Sequence, residues 1–174
     1  MKSFLIVVDM QKDFVNGALS TAEAENIVSA VCDKIERFNG EIIVTYDTHE
    51  QDYLQTAEGK KLPVPHCIKD TDGWQLDKRV GKALGNKMYT EIEKPTFGSV
   101  KLPKIVKELA NGDDFEIELV GLCTDICVVS NALLLKANFP ENRISVDSNC
   151  CAGVTVDSHN AALTTMKMCQ IDVK

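Results

Sequence analysis

Four short apolar runs separated by amphipathic stretches constrain this 174-residue chain more than any other feature. Phe4–Val8, Ile42–Thr45 and Ile117–Val120 are compact and rich in β-branched residues, and Arg143–Val146 is a weaker fourth. A half-exposed strand alternates apolar and polar residues. Runs without alternation suit strands buried on both faces, as in a parallel sheet. Between the runs, Thr21–Phe38 places Ile27, Val31, Ile35 and Phe38 at helical spacing and stops at Asn39-Gly40. Leu102–Leu109 opens beside Pro103, a favoured first-turn residue, and ends before Asn111-Gly112. Asp125–Ala137 and Asp157–Met168 complete the helical set. Strand alternating with helix predicts an α/β fold: a single-domain, doubly wound, mainly parallel sheet with helices on both faces, spanning residues 1–174.

Composition narrows the classes of function. Lys and Arg total 19 against 26 Asp and Glu, a formal net charge of −7. A nucleic-acid partner would call for a basic stripe to replace phosphate counterions, so none is expected. The N-terminal apolar run ends at Asp9, short of the roughly 7–15 residues of a signal peptide. No stretch approaches the roughly 18 apolar residues of a membrane helix. The expectation is a cytoplasmic protein without membrane contact, whose seven cysteines stay reduced.

One segment breaks the alternation. From Asp47 to Trp74 the chain runs without clear periodicity, and a loop of that length in a compact domain is usually functional or disordered. Two of the three histidines, His49 and His66, fall inside it, which favours function.

In open α/β sheets the active site lies beyond the carboxyl ends of the strands. Asp9 follows the first run, Asp47 and His49 the second, and Cys123 to Cys127 the run at Ile117–Val120. Lys94 follows a further strand expected at Lys87–Ile92. A carboxylate, a lysine, a cysteine and a metal-ligand pair thus converge on one edge. Cys127 would occupy the first turn of a helix, where free N–H groups and the helix dipole favour a thiolate. Such a thiolate could attack a carbonyl while backbone N–H groups hold the oxyanion. From spacing alone, Cys123 and Cys127 fit equally well as core residues lining that turn. A redox pair or structural zinc site fits less well, since those favour Cys-x-x-Cys spacing.

Four segments carry a resemblance: VVDMQKDFVNGAL at Val7–Leu19, YDTH at Tyr46–His49, EKPTFGS at Glu93–Ser99, and GLCTDICV at Gly121–Val128. Together they are similar to the cysteine hydrolases of the isochorismatase-like superfamily, and within it to the nicotinamidases. The resemblance implies a Rossmann-like fold and a catalytic triad of Asp9, Lys94 and Cys127. It implies a thioester route in which Asp9 takes the thiol proton and later delivers it to departing ammonia. It further implies a cis peptide at Leu122–Cys123, with the backbone N–H groups of Cys123 and Cys127 as the oxyanion hole.

The same resemblance implies a divalent metal ion, Zn, Mn or Fe, bound by Asp47, His49, His66 and a fourth ligand. Glu58 matches the Glu-bearing version of that site and Asp52 is the runner-up; Cys67, adjacent to His66, is left out. The ion would bind the ring nitrogen of nicotinamide, with Phe14 and Phe97 around the ring. Trp74 reads as a loop anchor. Pro63 departs from the pattern, standing where many nicotinamidases carry an aromatic residue. The implied partner is a small-molecule amide. Nicotinamide leads, other small amides, ureido or carbamoyl compounds are the alternative, and a homo-oligomer would be in keeping with the family. Cys127 argues against isochorismate, whose hydrolases lack the cysteine. Cys150 and Cys151 follow the fifth strand near the same edge, so that one of them could line the pocket.

Overall fold

The computed structural model describes residues 1–174. Its centre is a six-stranded sheet in which every pairing is parallel. The strands are β1 (Lys2–Val8), β2 (Glu41–Asp47), β3 (Tyr89–Lys94), β4 (Phe115–Leu122), β5 (Arg143–Ala152) and β6 (Asp172–Val173), in spatial order β3-β2-β1-β4-β5-β6. The helices are α1 (Lys12–Val15), α2 (Ala22–Arg37), α3 (Ala57–Lys61), α4 (Lys78–Leu84), α5 (Leu102–Ala110), α6 (Val129–Asn138) and α7 (Val156–Met168).

The two-residue period of a strand divides the apolar runs between two cores. Leu5 and Val7 face one layer, packed with Ile27, Val31 and Ile35 of α2 and Val80 of α4. Phe4, Ile6 and Val8 face the other, with Val106 of α5, Leu135 of α6 and Met166 of α7. The doubly wound sheet with helices on both faces is therefore as read from the sequence. Local chemistry sets the helix ends. The Thr21 side chain accepts the Ala24 N–H at the start of α2, and Asn111 closes α5 in the left-handed region at φ 52°.

Two boundaries differ from the sequence reading. Lys94 is the last residue of β3 rather than beyond it. β5 runs on to Ala152, and its pairing with β4 shifts register between Leu119 and Gly121. Cys150 and Cys151 thus lie inside a strand and pack into opposite cores, neither of them lining the cavity described below. Periodicity also misses α1, α3, α4 and β6, which are too short to show a pattern. No helix is long and apolar enough to cross a membrane.

Strand order reverses beside β1: its successors β2 and β3 stack on one side, β4 to β6 on the other. The crevice at the carboxyl ends of β1 and β4 is the usual binding place in such sheets. Gly121 makes the close approach possible there, at φ 117° and with an added Cβ only 2.2 Å from the Val8 carbonyl oxygen. Gly121→Ala is expected to cost about 2 kcal/mol or more through forced backbone displacement. A thermal melt should show the midpoint lowered by at least about 4 °C. An unchanged midpoint would mean that β1 and β4 separate freely.

Candidate active site

The carboxyl ends of β1 to β4 deliver four buried polar groups to one point. Asp9 follows β1 in the left-handed region at φ 48°, Asp47 ends β2, Lys94 ends β3, and Cys127 sits in the turn after β4. Lys94 Nζ lies 2.6 Å from Asp9 Oδ2, 3.2 Å from Cys127 Sγ and 3.6 Å from Asp47 Oδ1. It also donates to the Thr96 carbonyl at 3.2 Å. Asp9 Oδ1 accepts from the Thr45 hydroxyl at 2.6 Å, whereas Oδ2 meets Lys94 as an ion pair without a well-directed hydrogen bond. That oxygen keeps acceptor capacity for a further proton.

The electrostatics follow from burial. Burial alone would depress the Lys94 ammonium, but the facing Asp9 and Asp47 carboxylates outweigh it and hold the lysine charged. Burial pushes the Asp9 carboxyl up, against the pull of Lys94. Burial and the Asp9 carboxylate push the Cys127 thiol well up, with Lys94 opposing them. This opposes the thiolate that a helix turn by itself would favour and agrees with a thiol whose proton Asp9 would take, because burial of the enclosed sulfur raises its proton affinity. The resting sulfur is a thiol beside a base of raised proton affinity.

Cys127 is also not in the first turn of an α-helix. Thr124–Val128 form one wide turn, the Val128 N–H reaching back to the Cys123 carbonyl at 3.0 Å, and α6 begins only at Val129. The Leu122–Cys123 peptide is cis, and the Cys123 N–H has no hydrogen-bond acceptor within the protein.

Next to this cluster stands a second one. Asp47, His49 and His66 bring one ligand atom each to within 4.8 Å of one another. Asp47 Oδ2 lies 3.1 Å from His49 Nε2 and 3.4 Å from His66 Nε2. Glu58 Oε1 approaches the same two nitrogens at 3.6 and 3.7 Å. Asp52, the other sequence candidate, is exposed and forms no ion pair. Because His66 Nδ1 donates to the Val64 carbonyl at 2.8 Å, the neutral ring presents Nε2 as a bare lone pair. Two imidazole nitrogens with two carboxylates suit Zn, Mn or Fe, so the residues fit a divalent ion.

The long connection is ordered by bonds that no periodicity announces. A short parallel bridge pairs His49 with Ile68, and Cys67 sits there at φ 46°, buried. The Cys67 N–H donates to Asp13 Oδ2 at 2.8 Å, and its carbonyl accepts from the His49 N–H at 2.9 Å. Gln11 clamps Asp47 through both backbone groups at 2.8 Å. Trp74 anchors the loop, its indole N–H donating to the Thr48 hydroxyl at 2.9 Å while its ring lies 5.3 Å from Tyr46. Tyr53 packs against both histidines, with ring centroids 4.7 Å from His49 and 5.0 Å from His66. The sequence reading missed Gln11, Thr45 and Tyr53. A polar residue three positions after β1, or inside the apolar run of β2, was the available signal for the first two.

A cavity of about 760 Å³ lies against both clusters. Phe14 and Phe97 line it; Phe14 is buried and edge-on to His66 at 5.6 Å, whereas Phe97 is 45% exposed. Pro63 is exposed and outside the lining. The arrangement can bind a small, largely apolar molecule with one end at a metal-binding set and the other at a thiol flanked by a base and an ammonium.

The chain matches the family model of the isochorismatase domain over residues 3–173. It is 27% identical to the nicotinamidase/pyrazinamidase of Mycobacterium tuberculosis, over 97% of this chain and 96% of that protein. Among solved structures, nicotinamidase PncA from Bacillus subtilis superposes with a TM-score of 0.84 at 27% identity, covering 99% of each chain. The pyrazinamidase of Pyrococcus horikoshii, solved in complex with zinc, has the same fold, with a TM-score of 0.81 at 23% identity and 100% and 99% of the two chains covered.

Replacing Lys94 by Met should leave the Asp9 carboxylate buried without its cation. The expected loss is about 3–5 kcal/mol in denaturant unfolding. Adding Asp9→Asn to that variant should recover part of it. Strict additivity of the two changes would show that the pair is not coupled.

Proposed function

Since the chain belongs to the isochorismatase family, we propose that it is a metal-dependent cysteine amidohydrolase converting nicotinamide and water to nicotinate and ammonia. The observation that carries this reading is the shared cavity: a Cys127–Lys94–Asp9 cluster on one side, an Asp47–His49–His66–Glu58 set on the other. The relatives named nicotinamidase and pyrazinamidase support it, as does the zinc of the Pyrococcus structure.

When bound, a divalent ion on Asp47, His49, His66 and Glu58 supplies a Lewis-acid site for the ring nitrogen of a pyridine carboxamide. Phe14 and Phe97 confine the ring, so that the carboxamide faces Cys127. The Cys127 sulfur attacks the carbonyl carbon as its proton passes to Asp9, and the oxyanion is held by the N–H groups of Cys123 and Cys127. Asp9 then protonates the nitrogen, the C–N bond breaks, and ammonia leaves behind a thioester. Water, deprotonated by Asp9, attacks the thioester carbon. The acid departs and the proton returns to the Cys127 sulfur. Lys94 stays charged throughout, offsetting the negative charge that moves between sulfur and carboxylate.

A raised Asp9 suits this cycle, because burial makes it a better proton acceptor than an exposed carboxylate. Other small amides, ureido or carbamoyl compounds among them, are the second reading, favoured by Pro63 standing outside the cavity lining.

Ammonia release from nicotinamide should be abolished in Cys127→Ala and largely kept in Cys123→Ala, whose contribution is a backbone N–H. Equal losses would overturn these roles. Faster release from ureido or carbamoyl substrates by the metal-replete protein would favour the second reading. His49→Ala should lower the divalent metal content of the purified protein, measured by elemental mass spectrometry, and raise the KM for nicotinamide. Unchanged metal content would remove His49 from the ligand set.

A further inference from the structure

Asn131 lies in α6 four residues after Cys127, with no solvent exposure, beside Ala132 and Leu135. Asparagine is a poor helix former, and a buried amide must find partners for both its oxygen and its NH₂. Here it finds them in two different segments. Asn131 Nδ2 donates to the Cys127 carbonyl at 2.8 Å and to the Phe97 carbonyl at 3.3 Å, and Oδ1 accepts the Ser99 N–H at 2.9 Å. The loop so gripped follows Lys94 and touches its ammonium through the Thr96 carbonyl. A second, independent feature seats this loop on α6: an added Cβ at Gly98 would lie 2.7 Å from Leu134 Cδ1 and 3.2 Å from Ser130 Cβ.

We infer that Asn131 is a positioning residue holding two parts of the site in register: the turn that carries Cys127, and the Thr96–Ser99 loop that supplies the Phe97 wall. The inference rests on the proposed reading of Cys127 as nucleophile. It adds that one side-chain amide couples nucleophile placement to the substrate-facing wall. Small displacements at such a joint matter, since a shift of about 1 Å at reacting atoms can cost about a hundredfold in rate.

The two halves of the role separate by substitution. A threonine on a helix can donate its hydroxyl to the carbonyl four residues earlier, so Asn131→Thr retains a bond to Cys127 but loses the loop. Asn131→Ala loses both. Gly98→Ala lifts the loop without touching the amide. With nicotinamide and metal-replete protein, Asn131→Thr and Gly98→Ala should raise KM about tenfold and largely retain kcat. Asn131→Ala should in addition lower kcat by about tenfold or more. Circular dichroism at the assay temperature verifies that each variant is folded, and should Asn131→Ala not fold, the other two still carry the KM prediction.

Alkylation of Cys127 by iodoacetamide, followed by peptide mass, gives a readout independent of the substrate. Asn131→Ala should react more slowly than wild type and Asn131→Thr at the wild-type rate. Wild-type kinetic constants in folded Asn131→Ala would overturn the inference, as would equal or faster alkylation or an equal loss of kcat in the Ala and Thr variants. A wild-type protein inert toward nicotinamide, but showing this alkylation pattern, would refute the substrate and leave the inference standing.

Discussion

The Lys94 ammonium is enclosed where four strand ends meet, within 4 Å of Asp9, Asp47 and the Cys127 sulfur. Removing it would leave two carboxylates and a thiol in a low-dielectric pocket with no cation facing the Asp9 carboxylate, a far costlier arrangement than the same groups in water. The rest of the site arranges itself around this charge. Asp9 turns back toward it through a left-handed residue, and Thr45 orients the other carboxylate oxygen. Gly121 allows β1 and β4 to approach closely enough for Asp9 and Cys127 to share one ammonium.

Asp47 joins the two clusters. One of its oxygens faces Lys94 and the other faces His49 and His66, so a single carboxylate belongs to both the thiol side and the histidine side. The facing imidazoles of His49 and His66 and the nearby Lys94 ammonium outweigh burial and hold its carboxyl well below the usual range. The long connection supplies the histidine side, and the bonds of Gln11, Asp13 and Trp74 tie that loop to the body of the sheet.

Much of this was legible in the chain. The unalternating runs at Phe4–Val8 and Ile117–Val120 announced central parallel strands, and what followed each run pointed to the edge where chemistry sits. Asp9, Asp47, His49 and Cys127 were found that way, and Lys94 from a strand placed two residues too early. Gln11, Thr45, Tyr53 and Asn131 were not found, because their roles depend on partners 32 to 63 residues away or on a ring stack. Local pattern has no access to such pairings. Glu58 was one of two acids that the resemblance left open, and only the turn of α3 brings it to the imidazoles while Asp52 faces solvent.

The sequence by itself determined the strand–helix alternation, the edge of the sheet that carries function, and the residue types gathered there, since periodicity and position after a strand are local properties. The tertiary structure decided the protonation chemistry. A cysteine expected in the first turn of a helix reads as favouring a thiolate, whereas in the folded protein the enclosure of the sulfur and the facing Asp9 push its thiol up. Desolvation depends on everything that surrounds an atom, and no stretch of chain, however characteristic, records how completely it will be surrounded.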